Sequence, residues 1–230
     1  MEDVACNCRR VIKNIEAAAA RSGRDPREVK LLAACKGQDI AAIRMAIGAG
    51  ARLFGENYVQ DAMKKIAAVN EPVEWHMIGH LQRNKIKQAL ELFSLIESLD
   101  SVSLARALDR AAAIKGTICR TFVEVNLGGE ETKSGISQED LPQLLEEVVK
   151  LSNLRVDGLM LIPPFREDPE EIRPFFRRLR ELQMKLRGLN LPNVELHELS
   201  MGMTHDYQVA VEEGATIVRI GTGIFGPRRS

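Results

Sequence analysis

Lys36 closes the apolar run Leu31-Leu32-Ala33-Ala34-Cys35 and is followed at once by Gly37. A run of that length, stopped by a turn residue, reads as a strand buried on both faces, which puts the lysine at the rim of a sheet. A half-desolvated amine has a lowered pKa and is nucleophilic near neutrality, so a lysine at such a rim suits Schiff-base chemistry. The plainer reading of this stretch alone is a lysine that snorkels from a strand end into water. Two other stretches bear on the choice. Val218-Arg219-Ile220 runs into Gly221-Thr222-Gly223-Ile224-Phe225-Gly226, and Leu199 runs into Ser200-Met201-Gly202-Met203. Small residues directly after strands let backbone N–H groups converge on an anion, and in parallel barrels the phosphate position follows the last two strands.

These residues can act together only if the chain alternates parallel strands and helices. Apolar periodicity predicts a helix over 3–22, ended by Ser22-Gly23-Arg24-Asp25-Pro26, and then eight strand-helix units. Strands are expected at 31–36, 52–54, 74–78, 93–98, 118–126, 154–161, 195–199 and 216–220, with helices at 40–49, 57–67, 84–91, 102–114, 138–151, 169–187 and 206–213. The absence of hairpin signals between them favours right-handed parallel crossovers, and eight strands close a barrel. The expected fold class is therefore α/β, a single (β/α)8 TIM-type barrel over residues 1–230, with an extra N-terminal helix (1–25) packed on it. An open doubly wound sheet is the competitor, because strands two and eight are short.

Composition narrows the partners. With 32 Lys plus Arg against 32 Asp plus Glu there is no basic surplus to draw in nucleic acid or an anionic membrane, so small molecules are favoured. The opening Met-Glu-Asp-Val is acidic and no apolar run approaches a membrane span, from which a cytoplasmic location is expected. Cys6, Cys8, Cys35 and Cys119 have neither disulfide-framework nor zinc-ribbon spacing. His76 and His80 are four apart but on a strand-to-loop segment that does not put them on one face, so no metal is expected and structural roles are assigned to His76, His80, His197 and His205. The charged cluster 166–171 reads as a solvated loop before a helix.

In a parallel barrel the site lies at the carboxyl ends of the strands, which collects Lys36, Asn57, His76, His80, Asn126, Ser200 and Arg219. Closure makes strand eight the neighbour of strand one. Arg219 is then expected beside Lys36, where a like charge would further depress the pKa of the lysine. Glu124 and Asn126 alternate with Val123 and Val125, which turns them into the barrel as a buried polar network. An amine after strand one and an anion cradle after strands seven and eight fit pyridoxal 5′-phosphate (PLP); the alternative ligand is a phosphorylated sugar held by a lysine aldolase.

The stretches that carry these residues have a wider resemblance. Lys36, Phe54-Gly55-Glu56-Asn57-Tyr58, Trp75-His76-Met77-Ile78-Gly79-His80-Leu81-Gln82-Arg83-Asn84-Lys85, Gly158-Leu159-Met160, Leu199-Ser200-Met201-Gly202-Met203 and Val218 to Gly226 together resemble the YggS/PROSC family of pyridoxal-phosphate-binding proteins. The resemblance covers nearly the whole chain, and the family is similar to the barrel domain of alanine racemase without its second domain. It implies that Lys36 forms an internal aldimine with PLP, that Arg219 meets the pyridine nitrogen, and that Asn57 lines the ring. It further implies that Ser200, Gly221 and Thr222 hold the phosphate, with Met201 supplying backbone and Arg228 an extra cation. Two positions depart from the family pattern: Cys35 stands where Ser or Thr is common, and Thr204 where Ser is common. Strand alternation points Cys35 away from Lys36, so the lysine assignment is unaffected.

A guanidinium stays protonated and can only donate, so a pyridine nitrogen facing Arg219 is expected to remain unprotonated and the cofactor to be a weak electron sink. The domain that supplies the second acid/base in alanine racemase has no counterpart here. The expectation is thus a PLP carrier in vitamin B6 homeostasis, a monomer that delivers cofactor to PLP-dependent apo-enzymes, with no catalytic residues of its own. The alternatives are a PLP-dependent amino-acid racemase of low activity and, more distantly, a Schiff-base aldolase acting on a phosphosugar.

Overall fold

The computed structural model describes residues 3–129 and 134–227. Its strands are β1 (Lys30–Ala34), β2 (Leu53–Glu56), β3 (Glu74–Met77), β4 (Leu95–Leu99), β5 (Cys119–Asn126), β6 (Ile136–Ser137), β7 (Leu154–Met160), β8 (Val194–Ser200) and β9 (Ile217–Ile220). The helices are α1 (Val4–Arg21), α2 (Ile40–Gly48), α3 (Val59–Val69), α4 (Ile86–Leu92), α5 (Val102–Lys115), α6 (Leu141–Val148), α7 (Arg173–Arg187), α8 (Tyr207–Glu212) and α9 (Thr222–Phe225). All pairings are parallel. They run β1–β2–β3–β4–β5–β7–β8–β9 and return from β9 to β1, so the sheet closes into an eight-strand TIM-type barrel and the open-sheet alternative falls. The two-residue β6, which no sequence signal announces, pairs with β5 at Val125 and Asn126, beyond the last residue that β7 covers.

The starts of α1, α2 and α5 are fixed by side-chain caps. Asp3 accepts from the Ala5 and Cys6 amides, Asp39 from Ala42 N at 2.7 Å and Ser101 from Leu104 N at 3.3 Å. Two expected helices open with 3₁₀ turns instead, at Arg83–Lys85 and Pro169–Ile172. Helix α1 buries Val4, Cys8, Val11 and Ile15, spaced three or four apart, and then Ala18 and Ala19, three and four beyond Ile15, against α2, α8 and α9. It also braces α9 directly, since Asn7 Nδ2 donates to Ile224 O at 3.3 Å. No helix of the described residues is long and apolar enough to cross a membrane.

Two apolar cores result from strand alternation. The larger lies between strands and helices; the smaller fills the barrel with Leu32, Leu53, Leu95, Phe122, Met160 and Ile217, one from each of six strands. This plug closes the barrel from within. Polar residues on the inward-facing positions above it sit next to the open, carboxyl end.

Candidate functional site

Strand β1 ends at Ala34, two residues earlier than the apolar run suggests, and Lys36 lies half-buried in the turn that follows. The turn is closed by Gln38 N donating to Cys35 O at 3.0 Å, with Gly37 at φ +74°, a conformation that favours glycine. Leu32 and Ala34 face the barrel interior, whereas Ala33 and Cys35 face the helices. Cys35 therefore points away from the mouth, its thiol 3.3 Å from Gly55 O, and burial with the neighbouring Glu56 pushes that thiol up to about 12. It is not a nucleophile near neutral pH.

Arg219 is on β9, adjacent to β1 as closure requires, but the expected side-by-side cations are not what the register gives. Leu32 is the residue level with Arg219, and Lys36 lies four residues further along, up to about 13 Å of strand rise. The guanidinium also turns across the barrel: Nη1 donates to Ser200 O and Oγ at 2.7 Å each, and Nη2 to Leu161 O at 2.8 Å. Burial pulls Arg219 below its ordinary range while Glu97, Glu124 and Asp206 hold it up; at that starting pKa it stays charged.

Those bonds belong to a relay across the barrel. Ser200 Oγ donates to Glu97 Oε2 at 2.5 Å, and Glu97 Oε1 is 2.7 Å from His76 Nδ1, so β3, β4, β8 and β9 are joined through one buried chain of polar groups. Glu97 and Ser200 have no exposed surface. Ser200 and Met201 are both engaged within the barrel wall. Because β8 extends through residue 200, the Ser200 side chain points inward to Arg219 and Glu97, and Met201 N donates to Ile217 O at 3.1 Å within the strand ladder. His76 has the structural role expected; His80 is exposed and 3.4 Å from Asp100.

Glu124 on β5 does face the interior polar layer, as strand alternation predicts. Burial pushes its carboxyl from the usual 4.5 up to about 7, against the pull of Arg219 and with Glu97 and Asp100 adding to the rise. A folded-state pKa above the unfolded one means that stability is fully present below about 4.5 and is lost as pH rises through about 7. Glu124→Gln is accordingly expected to flatten the stability-against-pH curve over that window, by up to roughly 3 kcal/mol at pH 8. Urea midpoints of both proteins at pH 5 and pH 8 check this, and parallel pH slopes would refute it.

After β9, Gly221 stands as the N-cap of α9, and Thr222 and Gly223 form the first turn of that short helix. Thr204, the second departure from the family pattern, supports it: Thr222 Oγ1 donates to Thr204 Oγ1 at 3.2 Å, and Gly223 N donates to the same oxygen at 3.1 Å. Thr222 itself is exposed at the rim. The loop after β8 is held down beside it, because Gly202 adopts φ +92° and a Cβ there would stand 2.5 Å from Ala210 Cβ. Asp206 Oδ1 then accepts Met203 N at 2.6 Å. Arg228 lies outside the described residues. Asn57, half-buried after β2, borders a cleft of about 400 Å³ that also takes in Tyr58, Gln60, His80, Gln82 and Lys85. A cleft of about 560 Å³ near Arg187 and His197 touches the start of β8 and none of the constellation.

Sequence reasoning overlooked Glu97 and Asp206, and also one buried pair. Glu56 and Lys65 form an ion pair on the helix side of the sheet, with Glu56 fully buried and Lys65 8% exposed. The signal was available: Val59, Ala62, Lys65 and Val69 share the buried face of α3, so a lysine stands where the helical period asks for an apolar residue. Among the described residues no group of three His, Cys, Asp or Glu side chains could hold a metal ion.

Similar proteins give this geometry its context. The family model described as alanine racemase, N-terminal domain, matches residues 6–229. A pyridoxal phosphate homeostasis protein of Aquifex aeolicus is 46% identical over 221 residues, 96% of each chain. PipY of Synechococcus elongatus, solved with PLP bound, is 38% identical and superposes with a TM-score of 0.81 over 93% of this chain and 100% of its own. An alanine racemase of Clostridium difficile, at 12% identity, shares the fold alone, with a TM-score of 0.75 over 100% of this chain and 58% of that one. With a barrel of that architecture and near full-length identity to the homeostasis proteins, this chain belongs to the pyridoxal phosphate homeostasis protein family, built on the alanine racemase N-terminal domain.

Proposed function

We propose that this protein binds PLP at the carboxyl end of its barrel, held covalently through Lys36, and acts in PLP homeostasis by carrying and delivering the cofactor. The observation that carries the reading is the pairing of an amine in the turn after β1 with a buried, fixed guanidinium on the adjacent β9. PLP supplies an aldehyde that condenses with an amine and a ring that can withdraw electrons. The donor set suits such a group. Among the described residues, three of the five N–H donors of Arg219 are used by Ser200 and Leu161, which leaves two for a ligand and none that can accept a proton. Gly221 and Thr222 offer backbone donors to a phosphate at the exposed rim, and the Thr222 hydroxyl can join them by rotating its one hydrogen away from Thr204 Oγ1. Ser200 and Glu97 act behind Arg219, orienting it.

The same features support a carrier over a catalyst. Arg219 cannot hand a proton to the ring, and the inward carboxylates, Glu97 and Glu124, lie in the polar layer with Arg219, below the mouth where Lys36 emerges. PLP-dependent apo-enzymes are the proposed recipients. The test is to reconstitute the protein with PLP, record its absorption, reduce with borohydride and map the modified peptide. Label on the peptide containing Lys36 supports the assignment, and label elsewhere refutes it. Incubation of the loaded protein with L-alanine in deuterated water tests the second half: exchange at the α-carbon with inversion would replace the carrier reading with a racemase.

Thr222→Ala is expected to speed PLP release about tenfold to a hundredfold without abolishing attachment. One hydrogen bond to a charged phosphate contributes roughly 1.5 to 3 kcal/mol, while the covalent link and the backbone donors remain. Stopped-flow release into an apo-enzyme trap measures it; an unchanged rate would move the phosphate away from this turn.

A further inference from the structure

Behind the turn that presents Lys36, two elements are fastened by one buried group. The carbonyl of Cys35, the residue before the lysine, accepts Lys65 Nζ at 2.7 Å as well as Gln38 N at 3.0 Å. Cys35 N in turn donates to Gly55 O at 3.0 Å. Lys65 is paired with Glu56 Oε1, and the other carboxylate oxygen, Oε2, accepts Asn57 N at 2.7 Å. A single ion pair therefore ties the turn after β1 and the loop after β2 to the inward face of α3.

The cost of such a pair makes a purely packing role a poor explanation. Two charges removed from water gain little net stability over apolar residues of similar volume, and the buried face of α3 is otherwise apolar. What an apolar pair could not do is hold the Cys35 carbonyl. Resting on the assignment of Lys36 as the PLP-binding amine, we infer that Lys65 and Glu56 are positioning residues, whose ion pair fixes the backbone at Cys35 and so aims the Lys36 amine at the aldehyde of the incoming cofactor. Lys65 itself is not a competing amine, because it lies on the helix side of the sheet and is committed to Glu56 and Cys35 O.

The variant that isolates this role is Glu56→Gln with Lys65→Met. It leaves no unpaired buried charge, and the introduced amide keeps an oxygen for Asn57 N, so the losses are the clamp on Cys35 O and the carboxylate oxygen that faced Lys65 and the Cys35 thiol. Two measurements divide positioning from structure. Covalent attachment of PLP to Lys36, followed by absorbance and borohydride mapping, is expected to slow about tenfold to a hundredfold, the scale associated with an ångström of misplacement. Affinity for 4′-deoxypyridoxine 5′-phosphate, which lacks the aldehyde, is expected to stay at the wild-type value. Hydrogen exchange of the cofactor-free variant should show lost protection at Gln38 N, with the β-strand amides unchanged.

A folded double variant that attaches PLP at the wild-type rate would overturn the inference, as would equal losses in attachment and analogue affinity. If the double variant does not fold, Glu56→Gln with Lys65→Gln carries the same expectation, because the two amides can pair without a buried charge while the shorter side chain at 65 falls short of Cys35 O; a wild-type attachment rate there has the same force. Wild-type protein labelled at a lysine other than Lys36 would instead refute the parent assignment, whatever the variants do.

Discussion

Lys36→Ala is expected to abolish covalent attachment of PLP while leaving the fold intact. The side chain is half-buried in a turn beyond β1, not packed in either core, so its removal opens no interior cavity of the kind that costs several kcal/mol. The backbone at this turn is held independently of the side chain, by Gln38 N and Lys65 Nζ on the Cys35 carbonyl. The variant should therefore melt close to the wild type, and its absorption after incubation with PLP should be that of free cofactor. Lys65 cannot substitute for it, being buried on the other side of the sheet. Residual weak binding through Arg219 and the Gly221–Gly223 turn is expected, because those donors are untouched. A Lys36→Ala protein that still retains borohydride-stable label would show that another lysine does the chemistry.

Arg219→Met should have the larger effect on the fold itself. The guanidinium is the cation shared by Glu97, Glu124 and Asp206, and it bonds the β9 side of the barrel to Ser200 on β8 and to Leu161 after β7. Removing one partner from a buried charge network costs about 3 to 5 kcal/mol, because the remaining carboxylates lose their compensation. The loss depends on pH in a definite sense. Glu124, raised to about 7 by burial even with Arg219 present, takes up its proton more readily without it, so the variant should be least stable at pH 8 and recover part of the loss by pH 5. Denaturation at the two pH values measures this, and a small, pH-independent loss would contradict the network. Arg219→Glu should fare worse near neutrality, since it adds a further carboxylate to the group. That substitution is thus unsuited to testing whether the arginine mutes cofactor chemistry. The informative exchange is Arg219→Lys, which keeps the charge but gives up the planar fork.

The barrel and the order of its strands were legible in the sequence. Apolar runs of four to eight residues alternating with helical periods leave few topologies open, and eight parallel units close. Lys36, Asn57, Arg219 and the glycine-rich turn after β9 were legible for a related reason: a charged or small residue at the end of a buried strand is conspicuous against its apolar surroundings. Which way a strand-end side chain reaches, and what its backbone is already bonded to, depends on register, and register belongs to pairs of strands. Sequence position therefore set Arg219 beside Lys36, whereas pairing puts Leu32 there. Sequence position likewise gave no sign of Glu97, to which one more residue of β8 turns the Ser200 hydroxyl inward. The chain from His76 through Glu97 and Ser200 to Arg219 draws on four strands separated by up to 143 residues, counting from 76 to 219, and no local pattern encodes it. Lys65 lay between these cases. Its place on an apolar helical face marked it as unusual, but only the packing of α3 against the turn after β1 shows what the ammonium holds. Local periodicity fixes which faces are buried, and long-range contacts decide which buried polar groups meet.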